Sequence, residues 1–152
     1  MMKVCSICIF LLSIVGCNSN KLIVKNENPV EMSIYKNFSQ EGTTTIGGAY
    51  KMTELKNNNV EKIVVDSADI DMFCQIISNS KCMRLRQSKT GIYLLYMDAI
   101  FANGENHNLV LCYDSAIIDY TQQVVYIVSD NEYRKYLQKF QNKYRKEILD
   151  WD

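Results

Sequence analysis

The pattern of apolar and polar positions in the second half of the chain predicts regular secondary structure. Residues 60–65 form a run rich in β-branched side chains, which is typical of a strand. Asp66 and Ser67 follow this run, and both are residue types that cap helices. The next apolar residues recur with helical spacing, at Ile70, Phe73, Cys74 and Ile77. The pattern therefore predicts a strand followed by an amphipathic helix.

Further apolar segments have the length and alternation of strands. They lie at residues 82–86, 92–101, 109–113, 116–120 and 123–128. The pair Asn103 and Gly104 lies between the segments at 92–101 and 109–113, and such a pair is typical of a hairpin turn. Short turns between successive strands favour antiparallel neighbours. We therefore expect an antiparallel sheet of about four to five strands.

A second amphipathic helix is predicted at the C-terminus. Ser129 and Glu132 have the spacing of a capping box. The apolar residues that follow lie on one helical face, at Tyr133, Leu137, Phe140, Tyr144 and Ile148. The predicted fold class is thus α+β, with two helices packed on one face of the sheet.

The segment before residue 60 has weaker signals. Residues 30–35 have some strand character, and residues 39–50 are interpreted as a loop or a loose hairpin around Gly47 and Gly48. This glycine pair lacks the spacing of a dinucleotide-binding or P-loop motif. Residues 30–152 are a usual length for a single domain, so we expect one α+β globular domain.

The N-terminus has the features of an export signal. Lys3 precedes an apolar stretch at residues 4–16, which as a helix would reach only about 20 Å and so falls short of a membrane span. The stretch ends in Ile14, Val15, Gly16 and Cys17. These four residues match the lipobox of bacterial lipoproteins position by position, so residues 1–17 resemble a lipoprotein signal.

The resemblance implies a lipid anchor. In that class the cysteine thiol receives a diacylglyceryl group and the chain is cut just before it, which assigns lipid attachment to Cys17. Residues 1–16 would then be a signal peptide that is removed, and residues 17–29, which are polar and end near Pro29, would be a lipidated tether. The expected location is the bacterial cell envelope, on the exported side of a membrane.

Charge and cysteine content limit the function classes. The chain has 17 basic and 17 acidic side chains, so the loss of Lys3 with the signal leaves a net charge of about −1, which gives no electrostatic support for nucleic-acid binding. The body retains three cysteines, and the sequence leaves open whether two of them pair or all three are buried thiols: Cys74, Cys82 and Cys112.

No catalytic or metal-binding motif is found. His107 is the single histidine and lies in the predicted hairpin loop after Gly104, so we interpret it as exposed. No nucleophile motif accompanies it, so we assign it no catalytic role. Zinc sites need paired Cys or His ligands, which this spacing does not provide. Asp66, Asp69 and Asp71 lack the glycine and glutamate of a calcium loop and are better explained as favourable charges at a helix N-terminus. No metal and no cofactor are predicted.

The remaining hypotheses concern binding. Tyrosines on neighbouring predicted strands could form a surface for a sugar or a peptide: Tyr93, Tyr96, Tyr113, Tyr120 and Tyr126. The sequence therefore favours a lipid-anchored binding module for a protein, peptide or glycan at the envelope. The alternatives are a small hydrolase that uses Asp98 and Asp114, or an inhibitor or immunity-type lipoprotein. The absence of a catalytic motif makes an enzyme the less favoured of these classes.

Overall fold

The fold is built on one antiparallel sheet. The computed structural model describes residues 28–38, 42–86 and 90–150, so the signal peptide, Cys17 and most of the tether lie outside the described residues. The strands are β1 (Glu31–Phe38), β2 (Gly42–Thr44), β3 (Lys62–Val64), β4 (Lys81–Arg84), β5 (Thr90–Ile100), β6 (Asn106–Cys112), β7 (Ala116–Asp119) and β8 (Val124–Ile127). The helices are α1 (Thr45–Asn57), α2 (Ser67–Asn79) and α3 (Asn131–Leu149).

The order of the strands places the long strand β5 near the middle of the sheet. The order is β3-β1-β5-β6-β7-β8-β4, and β2 adds to β5 beside the end of β1. Strands β5 to β8 pair with their neighbours in sequence, which confirms the predicted antiparallel meander. Strand β1 pairs with β5 on the other side, so β5 is covered on both edges by hydrogen-bonded neighbours.

Helices α2 and α3 pack on one face of the sheet, which we call the two-helix face. Their apolar stripes meet a continuous apolar sheet surface in the larger of two buried clusters. Phe73 of α2 and Phe140 of α3 lie at the centre, with ring centroids 5.7 Å apart. The predicted amphipathic helices thus bury the stripes that their periodicity defines, which is the main source of helix stability in a folded domain.

Helix α1 covers part of the opposite face, which we call the one-helix face. Met52 and Leu55 of α1 pack there on tyrosines and aliphatic residues of the central strands. The α+β class with an antiparallel sheet is confirmed, but the described residues contain eight strands and three helices rather than four to five strands and two helices. The two predicted helices do pack on one face, but the unpredicted helix α1 lies on the other face.

Two predictions of local structure are corrected. Residues 39–50 were expected to form a loop or hairpin, yet Gly42–Thr44 is a strand and residues from Thr45 onward are helical. Helix α3 is capped by Asp130 rather than by Ser129, because the Asp130 carboxylate accepts hydrogen bonds from the backbone N–H groups of Glu132 and Tyr133. The Asp130 carboxylate, one residue after Ser129, thus accepts hydrogen bonds from N–H groups that have no partner within the first turn of the helix.

Among the described residues, no helix is both long enough and apolar enough to cross a membrane.

Candidate functional site

The candidate site is a cleft on the one-helix face, beyond the C-terminal end of α1. The helix ends at Asn57, and Asn59 turns the chain with a φ of 50°, a left-handed conformation that asparagine tolerates well. The chain then continues into β3 at the sheet edge. Because α1 stops here, the part of the sheet formed by β3, β1 and β5 is left without a helix above it.

Asp98 is the buried carboxylate of this cleft. It lies in β5, opposite Ser33 of β1 and Asn108 of β6, and only 2% of its surface is exposed. Residues of one strand alternate between the faces, so Asp98 points to the one-helix face while its neighbours Met97 and Ala99 enter the apolar cluster of the two-helix face. Burial of a carboxylate is costly unless donors surround it.

The two oxygens of Asp98 differ in their partners. Oδ2 accepts hydrogen bonds from the Tyr35 hydroxyl at 2.7 Å and from Lys62 Nζ at 2.6 Å. Oδ1 is buried and has no hydrogen-bond partner, although Lys56 Nζ lies 3.4 Å away as an ion-pair neighbour. A buried polar atom without a hydrogen bond is rare in folded proteins and is found repeatedly at functional sites. One acceptor position of the carboxylate is thus left without a hydrogen bond, beside the ammonium group of Lys56.

Two lysines give the cleft its charge. Lys56 from the end of α1 and Lys62 from β3 keep 35% and 39% of their side chains exposed, so neither side chain is fully buried. Lys56 also donates a hydrogen bond to Asn108 Oδ1, and Lys62 lies 4.6 Å from the centre of the Tyr35 ring. Together with one carboxylate, the two ammonium groups leave a net positive charge in the cleft.

Tyr35 acts as a fixed donor. Burial, the hydrogen bond to Asp98 and the negative charge of Asp98 all raise the pKa of Tyr35 well above its usual value. The phenol therefore keeps its proton throughout the physiological range and continues to donate it to Asp98. Since the hydroxyl holds Oδ2, it also fixes the orientation of the carboxylate, with Oδ1 beside Lys56 Nζ.

The cleft is large enough for a small ligand. It encloses about 450 Å³, and its walls include the apolar residues Leu55 and Val60 beside the polar residues already described. Small-molecule sites in proteins have volumes of this order and combine an apolar wall with a few convergent polar groups. The arrangement can bind and orient a ligand through one acceptor and two cations.

His107 is placed differently from its prediction. It lies in β6 and is buried, with Nδ1 2.7 Å from Asp119 Oδ2 and its ring 4.8 Å from that of Phe101. Burial lowers the pKa of His107, but the hydrogen bond to Asp119 and the nearby carboxylates outweigh this and raise it. The expectation of an exposed loop histidine is therefore wrong, because β6 begins at Asn106 and includes residue 107.

The pair of His107 and Asp119 does not contribute to the cleft. His107 pairs with Ala99 in the sheet, so its side chain lies on the two-helix face, opposite to that of Asp98. Its other nitrogen, Nε2, is 3.5 Å from Glu105 Oε2. With these contacts the histidine ties the start of β6 to the end of β7. We assign it a structural role in joining these two strands.

The two acids of the hydrolase alternative are not brought together. Asp114 lies in the turn after β6, where its carboxylate accepts a hydrogen bond from the Ala116 N–H at 3.3 Å. Asn108, the sheet partner of Asp98, is six residues earlier in the chain, which is about 20 Å along an extended strand. A glycosidase pair needs a separation of about 5–10 Å. Asp98 and Asp114 therefore do not form such a pair.

The five tyrosines of the predicted binding surface do not share one exposed face. Tyr93 and Tyr96 are buried beneath α1, and Tyr120 donates a hydrogen bond to the Thr45 carbonyl at the start of that helix. Tyr126 is buried on the two-helix face, while Tyr113 is exposed in the β6–β7 turn. Tyr93, Tyr96 and Tyr126 are thus packed inside the domain and Tyr120 is half-buried, so an open stacking surface would have to involve Tyr113.

The three cysteines of the body are distributed over both faces. Cys74 is buried in the cluster of the two-helix face, and Cys82 packs against that cluster from β4. Cys112 belongs to the cluster of the one-helix face. Burial raises the pKa of Cys74 to about 11, so this thiol is not a reactive nucleophile.

The acidic cluster at the start of α2 fastens that helix to α3. Lys143 Nζ lies 2.6 Å from carboxylate oxygens of both Asp66 and Asp69, and the Tyr144 hydroxyl donates to Asp69 at 2.9 Å. Burial raises the pKa of Asp69, but these hydrogen bonds outweigh it and lower the pKa overall. Within residues 28–38, 42–86 and 90–150, no group of His, Cys, Asp or Glu side chains could hold a metal ion.

The cleft contains residues that the sequence did not single out. Asp98 was named as a candidate acid, but Tyr35, Lys56 and Lys62 carry no motif and lie 36 to 63 positions away from it. The pairing of β1 and β3 beside β5 brings Tyr35 and Lys62 to Asp98, and the end of α1 brings Lys56. Comparison of the chain with protein-family models, with curated proteins and with solved structures finds no match.

Proposed function

We propose that the protein is a lipid-anchored binding module of the bacterial cell envelope and that its ligand enters the cleft beside Asp98. The lipobox resemblance of residues 14–17 supports the anchor. The observation that carries the binding site is that Asp98 lines a cleft of about 450 Å³ while its buried Oδ1 lacks a hydrogen-bond partner. A ligand that donates a hydrogen bond to this oxygen would satisfy it.

Binding is favoured over hydrolysis by the surroundings of Asp98. Hydrolysis by carboxylates requires a second acid or base across the reacting bond. The groups that contact Asp98 are the hydroxyl of Tyr35 and the ammonium groups of Lys56 and Lys62, and all three act as donors or cations. The other candidate groups lie elsewhere. Asp114 is in the turn after β6, and His107 is on the two-helix face.

The anchor is tested by metabolic labelling of the full-length chain in a bacterial host with an alkyne analogue of palmitate. The wild type should carry the label in the membrane fraction, whereas Cys17→Ser should not, because it lacks the thiol that accepts the lipid. Cys8→Ser is the matched control and should label like the wild type, since Cys8 lies within the signal. Label that persists in Cys17→Ser would contradict the proposed anchor.

The binding site is tested with the mature lipidated protein in detergent micelles. Thermal unfolding is measured with a panel of neutral sugars, acidic sugars, amino acids and short peptides. At least one compound should raise the Tm of the wild type, because a ligand that binds only the folded state stabilises it. Lys62→Gln should abolish that response.

The control is Glu54→Gln, which changes an exposed charge of α1 that pairs with Lys51. This variant should respond to the ligand like the wild type. If no compound raises the Tm, or if Lys62→Gln responds as strongly as the control, the cleft is not a binding site.

A further inference from the structure

The polar groups of the cleft also restrict the chemistry of its ligand. We infer that the cleft selects a carboxylate that carries a hydroxyl one or two carbons away, the pattern shared by small hydroxy acids and by uronic acids. This inference rests on the proposed binding function and goes beyond it by naming the ligand class. It depends on the position of three groups: Asp98 Oδ1, Lys56 Nζ and Lys62 Nζ.

The lysines require an anion. Each ammonium group has three N–H donors, and Lys62 uses one of them on Asp98 Oδ2 while Lys56 uses one on Asn108. Further donors of both lysines can point into the cleft, where their side chains are more than one-third exposed. With Asp98 the local charge is positive, so a ligand with one negative charge neutralises it.

Asp98 requires a donor on the same ligand. Its Oδ1 can only accept a hydrogen bond, and it lies 3.4 Å from Lys56 Nζ. A ligand carboxylate bound to the lysines therefore has Oδ1 as a close neighbour. Unless a hydroxyl of the ligand faces Oδ1, two negatively charged oxygens approach each other. A simple carboxylate lacks that hydroxyl and should bind less well.

The same groups discriminate against two other classes of small molecule. A neutral sugar can donate a hydroxyl to Oδ1 but leaves the charge of the lysines uncompensated. An amino sugar also has hydroxyl donors, but its ammonium group would be repelled by Lys56 and Lys62 on either side of the carboxylate. A hydroxy acid meets both requirements, because it supplies a negative charge and a neutral donor.

Isothermal titration calorimetry on the mature lipidated protein in micelles tests this selectivity. The probes are D-glucuronate and glycolate as hydroxy acids, and acetate, D-glucose and D-glucosamine as analogues that lack one required group. At least one hydroxy acid should bind about tenfold more tightly than every analogue, because each analogue leaves a polar or charged group unmatched. Preference for glucuronate points to an acidic glycan, and preference for glycolate to a small free acid.

Variants then assign the selectivity to the cleft. Lys56→Gln should weaken hydroxy-acid binding by about fivefold, as expected for the loss of one partly exposed ion pair. Lys51→Gln is the matched control, since it removes a lysine of the same helix that pairs with Glu54 outside this cleft, and it should bind like the wild type. Asp98→Asn should reduce the preference for hydroxy acids over acetate, because the repulsion of the simple anion is removed.

The outcomes separate this inference from the proposed function. If acetate or glucose binds as tightly as both hydroxy acids, the ligand class is wrong, although a Tm response that depends on Lys62 would still support the binding site. Equal loss of affinity in Lys51→Gln and Lys56→Gln would also overturn the inference. Because Asp98→Asn leaves Tyr35 and Lys62 with a weaker partner and so lowers the stability of the fold, the comparison of Lys56→Gln with Lys51→Gln decides the test by itself.

Discussion

The two faces of the sheet are built on different principles. The two-helix face is an apolar layer in which α2 and α3 cover the strands, and its buried polar groups, such as Asp119 and His107, have charged or hydrogen-bonding partners. The one-helix face carries a smaller cluster that is rich in tyrosine, and its single helix ends before the sheet does. The first face is complete, whereas the second leaves Asp98 at the floor of a cleft.

This difference suggests a division of labour. A face that is covered by two amphipathic helices gains stability from apolar burial, which contributes about 25 cal/mol for each Å² removed from water. A partly covered face gains less, but it offers concave space with polar groups held by the rigid sheet. Binding sites need such positioned groups more than they need additional burial. The comparison therefore assigns stability mainly to one face and ligand recognition to the other.

The largest expected effect comes from a matched pair of leucine truncations. Leu137 of α3 is 1% exposed within the two-helix face, and Leu55 of α1 is 3% exposed but borders the cleft. Leu137→Ala should lower the free energy of unfolding by about 3–5 kcal/mol, because a closed core cannot refill the cavity. Leu55→Ala should cost about 2 kcal/mol, since its surroundings can relax toward the cleft.

Urea unfolding monitored by circular dichroism measures both losses, provided that the m-value is unchanged. The wild-type protein in the same micelles is the reference. If Leu55→Ala costs as much as Leu137→Ala or more, the two faces contribute equally, and the division between them fails.

The two faces also differ in how well the sequence predicts them. Helices α2 and α3 follow from periodic apolar stripes that begin at capping residues, and the strands β5 to β8 follow from apolar runs separated by turns. These signals are local, so they can be recognised without knowledge of the tertiary structure. The predicted part of the molecule is therefore mostly the part that builds the two-helix face and the central strands.

Helix α1 could not be predicted because its sequence has no apolar stripe and contains Gly47 and Gly48 near its start. Its position depends on contacts with residues far along the chain, in particular Tyr93 and Tyr120. The cleft has the same dependence, since it requires the register of β1 and β3 beside β5. The sequence indicates Asp98 only by its residue type, and no local pattern indicates that Tyr35, Lys56 and Lys62 surround it.

The second effect tests how α1 is held on the one-helix face. A Cβ at Gly48 would overlap the Tyr120 hydroxyl and the Tyr93 ring, so Gly48→Ala forces the helix away from the sheet. We expect a loss of about 1–3 kcal/mol in the free energy of unfolding, despite the better helix propensity of alanine. Gly42→Ala is the control, because its nearest neighbour would be 4.0 Å away. Equal stability of the two variants would show that α1 packs less closely than described.

The smallest effect concerns the buried pair of His107 and Asp119 on the two-helix face and depends on pH. The pKa of His107 is raised in the folded state by Asp119, so the folded state binds the proton more tightly than the unfolded state. This contribution is fully present below about pH 6.5, the usual histidine value, and is lost as the pH rises through the folded pKa. His107→Gln should therefore destabilise the protein more at about pH 5 than at about pH 9.

Urea unfolding at the two pH values measures this difference. Glu105→Gln is the control, because it retains the contact between His107 and Asp119 and most of the pH dependence. If His107→Gln lowers the free energy of unfolding equally at both pH values, the histidine stabilises the protein by packing on Phe101 rather than by its charge.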